Sequence, residues 1–244
     1  MDCKSTPDAA SFRVASYNIR KCVGLDRLRS PERVMGVISA LDTDVIALQE
    51  ADKRLGQRPA ALPANMIEVE SDFFPVPLSP DDPDGDSLGW HGNALLLRKG
   101  TEVITAKGLH LPGLEPRGAI IADIRLKSRT MRIVGLHLGL MRRHRLLQLD
   151  AIRTALEDMK AAPTLLLGDF NEWSPHKGLE TLGSDFTTHA PGRSFHAARP
   201  IAALDRIALG QGFELLDAGV HEKGAAAMAS DHLPIWADVN LAAR

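Results

Sequence analysis

The sequence predicts an α/β fold in which two β-sheets pack face to face with helices outside them. Three observations carry this expectation: short apolar runs of strand length outnumber helical patterns, they recur across most of the 244 residues, and each sheet must bury its second face against something. The chain is long enough to bury a large core without disulfides. Hydrophobic residues at 44% and charged residues at 25% fit an ordinary globular protein. A formal net charge of -2 exerts no global pull on a polyanion, which disfavours obligate DNA binding.

The elements follow in order. Met1 to Ala10 is polar, carries Asp2 and Asp8 and lacks the apolar core of a secretory signal. It reads as a mobile leader, and with no run of about 18 apolar residues anywhere, the expectation is a cytoplasmic protein without a transmembrane segment. Cys3 and Cys22 are read as free thiols. Phe12 to Ile19 alternates as a strand. Ser30 offers an N-cap, Pro31 a first helical residue, and Val34, Val37, Ile38 and Leu41 an apolar face. Val45 to Leu48 is a buried strand whose polar tip is Gln49-Glu50. Pro, Gly and Asp accumulate over 56–63 and 75–89, predicting loops that rim a site. Further strands are expected at 93–97, 119–126, 131–138, 164–167, 202–209, 213–218 and 234–239. One long helix is expected from Arg142 to Lys160, burying Leu149, Ile152, Leu156 and Met159. Without repeats or linkers, residues 11–244 are expected to form a single domain.

Polar residues recur where these strands emerge. Leu165-Leu166-Leu167-Gly168-Asp169-Phe170-Asn171 is a buried strand that presents a carboxylate and an amide. Asp169 could accept a proton from water, and Asn171 could orient that water or a phosphoryl oxygen; an Asx turn closing a strand is the structural alternative. Ser230-Asp231-His232-Leu233-Pro234 sets a carboxylate beside an imidazole, which could be a charged donor to phosphate or a solvated pair. Asn18, Glu50 and His137 each follow an apolar strand, and several such residues converging need a ligand. Asp205 interrupts an apolar strand and calls for a partner, which a cationic histidine on a neighbouring strand would supply. Hard oxygen donors such as Glu50 and Asn18 suit Mg²⁺ or Mn²⁺. No His-Glu-x-x-His spacing or cysteine cluster points to zinc.

In order, Tyr-Asn18-Ile, Gln-Glu50, Leu-His137-Leu, Gly-Asp169-Phe-Asn171, Leu-Asp205-Arg and Ser-Asp231-His232-Leu-Pro resemble the exonuclease–endonuclease–phosphatase superfamily, across nearly the whole chain. The resemblance implies a four-layer αββα sandwich whose two sheets are mainly antiparallel or mixed. It also implies a metal-dependent hydrolase of phosphoesters with Glu50, Asn18 and Asp231 at the metal. Asp169 would activate water, Asn171 orient it, His137 and His232 donate to phosphoryl oxygens, and Asp205 hold His232 cationic. Relatives acting on abasic DNA place an acidic residue two positions after the first asparagine, where this chain has Arg20. The opening looks closer to uncharacterised bacterial members. Arg20 and Arg117 are candidates to bind an anionic substrate, whereas Arg142-Arg143-His144-Arg145 reads as an exposed helix start. His91 reads as an exposed loop residue, and Trp173 suits either core or substrate. The favoured substrate is a small or lipid-derived phosphodiester. A DNA or RNA nuclease and a phosphate-binding pseudoenzyme are the alternatives.

Overall fold

The computed structural model of the chain describes residues 11–52, 59–78, 87–174 and 177–242. The leader, Cys3 and parts of the two loops rich in Pro and Gly lie outside them. Twelve strands form two six-stranded sheets. The first sheet contains β1 (Ser11–Asn18), β2 (Val45–Gln49), β3 (Phe73–Pro75) and β4 (Ala94–Arg98). The second contains β5 (Glu102–Leu111), β6 (Arg117–Leu126), β7 (Arg129–His137), β8 (Thr164–Asp169), β9 (Phe186–His189) and β10 (Asp205–Gly210). The last two strands, β11 (Phe213–Val220) and β12 (Ile235–Leu241), return to the first sheet. Their orders are β11-β12-β1-β2-β4-β3 and β5-β6-β7-β8-β10-β9. Only β1 with β2 and β7 with β8 run parallel, so both sheets are mixed. The helices are α1 (Pro31–Ala40), α2 (Ala64–Glu70), α3 (Arg142–Glu157) and α4 (Ala226–Ala229).

Side-chain alternation divides each strand between two cores. Val14, Val45, Ala47, Leu95, Ile133, Leu165, Leu167 and Ile207 fill the space between the sheets. Tyr17, Ile46, Leu48 and Leu96 face outward onto α1 and α2, while Val134, Leu136 and Leu166 meet Leu149 and Ile152 of α3. This is the sandwich of two facing sheets covered by helices that the sequence predicts. At Gly135 the sheets come so close that a Cβ would stand 2.8 Å from the Leu95 side chain. An added Cβ there would oblige the Leu95 side chain to shift.

Ser30 caps α1, its Oγ accepting from the Arg33 N–H at 3.2 Å and satisfying one of the unpaired donors of the first turn. α3 makes the crossover that a parallel β7–β8 pair requires. It stops at Glu157, three residues short of the expected Lys160. Leu156 and Met159 are therefore only partly buried against its core, and the buried face also includes Arg145 and Gln148. The strand expected from Ala202 begins only at Asp205, because Ala202 bridges Phe195 instead. β5 is absent from the sequence-based reading: it is an edge strand exposed along most of its length, so it lacks apolar alternation. β3, β9, α2 and α4 also escape that reading, being seven residues or fewer. No described helix is long and apolar enough to cross a membrane.

Candidate active site

The register of the second sheet sets three polar residues side by side at one end: Asp169 of β8 pairs with His137 of β7 and with Asp205 of β10. Each continues the parity that faces the first sheet, following Leu165 and Leu167, Ile133 and Gly135, or preceding Ile207 and Leu209. Asn18 ends β1 with the same parity from the opposite sheet. Its Nδ2 donates to Asp169 Oδ2 at 3.2 Å. His232, just before β12, brings Nε2 to 3.7 Å from the same oxygen, and His137 Nε2 lies 3.4 Å from it. One carboxylate oxygen is thus approached by an amide and two imidazoles from three other strands or strand ends.

Burial dominates the Asp169 carboxyl and raises it to about 6; the nearby His232 cation pulls it down, and Asp205 pushes it up again. For His232, burial by itself would lower the imidazolium. The carboxylates of Asp205 and Asp169 outweigh that and hold it at about 10. The partner that Asp205 calls for is this histidine: Asp205 Oδ2 lies 2.8 Å from His232 Nδ1 and also accepts from Ser194 Oγ at 2.5 Å. At neutral pH the arrangement is therefore an ionised Asp169 facing a protonated His232, whose Nε2 lies 3.7 Å from Asp169 Oδ2. Ligand atoms of Asp169, Asp205 and His232 lie within 4.8 Å of one another, close enough to enclose a metal ion. A protonated imidazole has no free lone pair, so this trio is better suited to proton handling.

Strained backbone holds the remaining groups. Asn171 has φ +51°, which breaks the alternation that would have set it beside Asp169. Its N–H instead donates to Asp169 Oδ1 at 2.9 Å and its Nδ2 to the Leu138 carbonyl at 2.9 Å. The Asx turn and the candidate Asp169 carboxylate are one feature. Glu50 has φ +53°, and Arg20, Lys21 and Cys22 form a left-handed turn with φ from +45° to +61°. That turn touches Asn18, Glu50 and Asp231: the Arg20 N–H donates to Asn18 Oδ1 at 3.1 Å, Arg20 Nε lies 3.4 Å from Asp231, and Lys21 Nζ lies 2.5 Å from Glu50. Ser230 Oγ donates to the Asn18 carbonyl at 2.6 Å, tying the Asp231 segment to the end of β1. Arg117 is nearly fully buried and turned onto Glu115 at 2.7 Å. Cys22 is a buried free thiol.

Several residues of the site were not singled out as such in the sequence. Arg145, expected at an exposed helix start, is 4% exposed. It donates to Glu172 Oε2 at 2.7 Å and to the Leu140 carbonyl at 2.6 Å, and Gln148 Oε1 accepts from the Gly139 N–H at 2.8 Å. Arg206 donates to the carbonyls of Glu172 and Ser174. Together they fasten the segments that follow His137 and Asp169, so Arg145 is a positioning residue. The available signal was Arg145 and Gln148 at i, i+3 beside Leu149 and Ile152, a polar edge on an apolar face. Trp173 is 60% exposed, which excludes a core role. It meets Phe195 edge-on, and Phe195 lies 4.9 Å from the His232 ring. His91 is not merely an exposed loop residue: its Nε2 lies 3.0 Å from His110 Nδ1, with Trp90 against both rings.

Comparison with known proteins agrees with the two-sheet fold. The chain is 26% identical over 258 residues to the uncharacterized protein YbhP of Escherichia coli strain K12, covering 95% of this chain and 97% of the relative. An endonuclease/exonuclease/phosphatase family protein from Bacteroides thetaiotaomicron superposes with a TM-score of 0.76 at 16% identity, over 96% of this chain and 98% of that one. D. rerio TDP2, solved with a single-strand DNA product, superposes with a TM-score of 0.71 at 17% identity, over 95% and 99% of the two chains. A family model matches residues 15–232, from β1 to His232, and the chain therefore belongs to the endonuclease/exonuclease/phosphatase family of phosphoester hydrolases.

Proposed function

We propose that the protein is a divalent-metal-dependent phosphodiesterase that hydrolyses a small or lipid-derived phosphodiester by attack of water at phosphorus. The observation that carries this reading is the buried Asp169 carboxylate, raised to about 6 and approached by Asn18, His137 and His232. A carboxylate tuned toward neutrality accepts a proton from water more readily than an ordinary aspartate, yet is ionised at pH 7. Asn171, fixed by the Leu138 carbonyl, orients the water or a phosphoryl oxygen. His232, kept cationic by Asp205, and His137 donate to the non-bridging oxygens as negative charge grows on them. Cleavage leaves the proton on Asp169 and needs no covalent intermediate.

Glu50, Asp231 and Asn18 supply hard oxygen donors, and a single turn already balances their charge with Arg20 and Lys21. Such a set fits Mg²⁺ or Mn²⁺, with one or two carboxylates completed by water and substrate. When bound, the ion would stabilise charge on the phosphoryl and leaving-group oxygens. Arg20, Lys21 and Arg117 are all engaged by carboxylates, which favours a small or lipid-derived substrate over a long polyanion needing a cation-lined groove.

The test is hydrolysis of bis-p-nitrophenyl phosphate against p-nitrophenyl phosphate, with Mg²⁺, Mn²⁺ or EDTA, for the wild type and Asp169→Ala. Diester cleavage that needs metal and disappears in the variant is expected. Cleavage that survives EDTA, or persists in the variant, would overturn the assignment. Silence toward both esters and toward nucleic acids would favour a phosphate-binding role.

A further inference from the structure

Leu28, Leu114, Leu140, Met141, Trp173 and Ile201 are all 46–78% exposed. They come from five separate connections: β1–α1, β5–β6, β7–α3, β8–β9 and β9–β10. β1, β7 and β8 end where Asn18, His137 and Asp169 lie, and β6 and β10 begin there, so every one of these connections opens at the catalytic end. Exposed apolar side chains away from that end include Val69, Ile104 and Leu216. Isolated exposed leucines are ordinary, but apolar side chains gathered on five loops around one opening mark a surface that is covered in use.

The charge on the same loops narrows what covers it. Arg27, Arg193 and Arg199 are exposed there and Arg143 in the first turn of α3, and among the described residues none forms an ion pair. The cations nearest the chemistry are instead engaged by Glu50, Asp231 and Glu115. A duplex or single strand would need the reverse, free cations along the cleft and little apolar surface around it. Leucine, methionine and tryptophan interleaved with free arginine form the set that seats at the boundary between headgroups and acyl chains, the apolar part buried and the cations on anionic headgroups.

We propose that the catalytic end docks on a phospholipid bilayer containing anionic lipid and takes its phosphodiester from the headgroup layer. The inference rests on the phosphodiesterase reading for the identity of the substrate, whereas docking is measurable without turnover. The test is co-sedimentation of the whole chain with vesicles of phosphatidylcholine plus phosphatidylglycerol, and of phosphatidylcholine alone. The proteins compared are the wild type, Leu28→Glu/Leu114→Glu, Asp169→Ala, and Val69→Glu as a control away from the catalytic end. Thermal unfolding checks that each is folded. The wild type should sediment with the mixed vesicles, Val69→Glu should match it, and the double variant should bind roughly tenfold more weakly because two apolar anchors become anions. A wild type that stays in the supernatant with both vesicles would overturn the proposal, as would a folded double variant that sediments like the wild type. So would wild-type binding that single-stranded DNA abolishes while the double variant binds that DNA equally well. If Asp169→Ala binds vesicles but the wild type hydrolyses no diester, docking stands and the phosphodiesterase reading fails.

Discussion

At one end of the two sheets the polar side chains are buried and shared among several strands; at the other they are paired off, mostly within reach of solvent. The catalytic end holds Asp169, Asp205, His137 and His232, all nearly inaccessible, with left-handed backbone at Lys21, Glu50 and Asn171. The distal end carries Arg125 with Glu102, Arg98 with Asp42, and Arg132 with Asp123, each at 2.6–2.7 Å. A groove of about 1070 Å³ also opens there, lined by Arg125, Arg129, Arg132, Lys160 and Gln211. That groove lies at the opposite end of the sheets from Asp169 and His232. What distinguishes the catalytic end is the convergence of titratable groups whose environments push them apart, Asp169 up to about 6 and His232 up to about 10.

Exchanging one carboxylate for an amide at each end breaks the comparison most directly. Asp169→Asn should lower metal-dependent diester turnover by about 10²–10⁴-fold. Its thermal midpoint should be kept or raised, since a carboxylate penalised by burial is replaced by a neutral group. Asp123→Asn should do the opposite, leaving turnover intact while calorimetry records a loss on the order of 2 kcal/mol as the Arg132 guanidinium loses its charged acceptor. If both variants lost stability alike, the two ends would differ less than their geometry indicates.

Arg145→Met is expected to reduce kcat with little change in KM, because it loosens the segments after His137 and Asp169 without removing a group that meets the substrate. Arg145→Lys should restore turnover in part. Unfolding by urea should show a cost of about 3–5 kcal/mol for the methionine variant, the consequence of leaving Glu172 buried without its partner.

The pH dependence sharpens the same contrast. The proposed mechanism needs Asp169 ionised and His232 protonated, so turnover should rise as pH passes about 6 and fall as it passes about 10. These limbs belong to the coupled pair. In Asp205→Asn the falling limb should move to lower pH, because burial lowers His232 and the larger of the two carboxylate effects that opposed it is gone. The smallest effect concerns Cys22. Burial raises its thiol to about 12, so the native protein should resist thiol reagents at pH 8 and react with them only once unfolded.

Much of this was legible in the sequence because alternation and strand ends are local. Val45 to Gln49, Thr164 to Asp169 and the Ser30 cap follow from neighbouring residues alone. β5 was not legible, since an exposed edge strand such as Glu102–Leu111 has no buried face to show a period. Arg145 was hidden for a different reason. In a run of four cationic or titratable residues nothing local tells which one turns inward; that is decided by Glu172, 27 residues away. Arg20 and Lys21 posed the same difficulty, their contacts with Asp231 and Glu50 depending on a left-handed turn.

The bond between Asn18 and Asp169 joins residues 151 positions apart and crosses from one sheet to the other, and that between Ser230 and Asn18 joins residues 212 apart. No part of the chain can assemble the catalytic geometry before both sheets have closed on each other. Turnover is therefore a reporter of the last long-range step in folding, and a slight parting of the sheets should silence the enzyme while strands and helices remain formed.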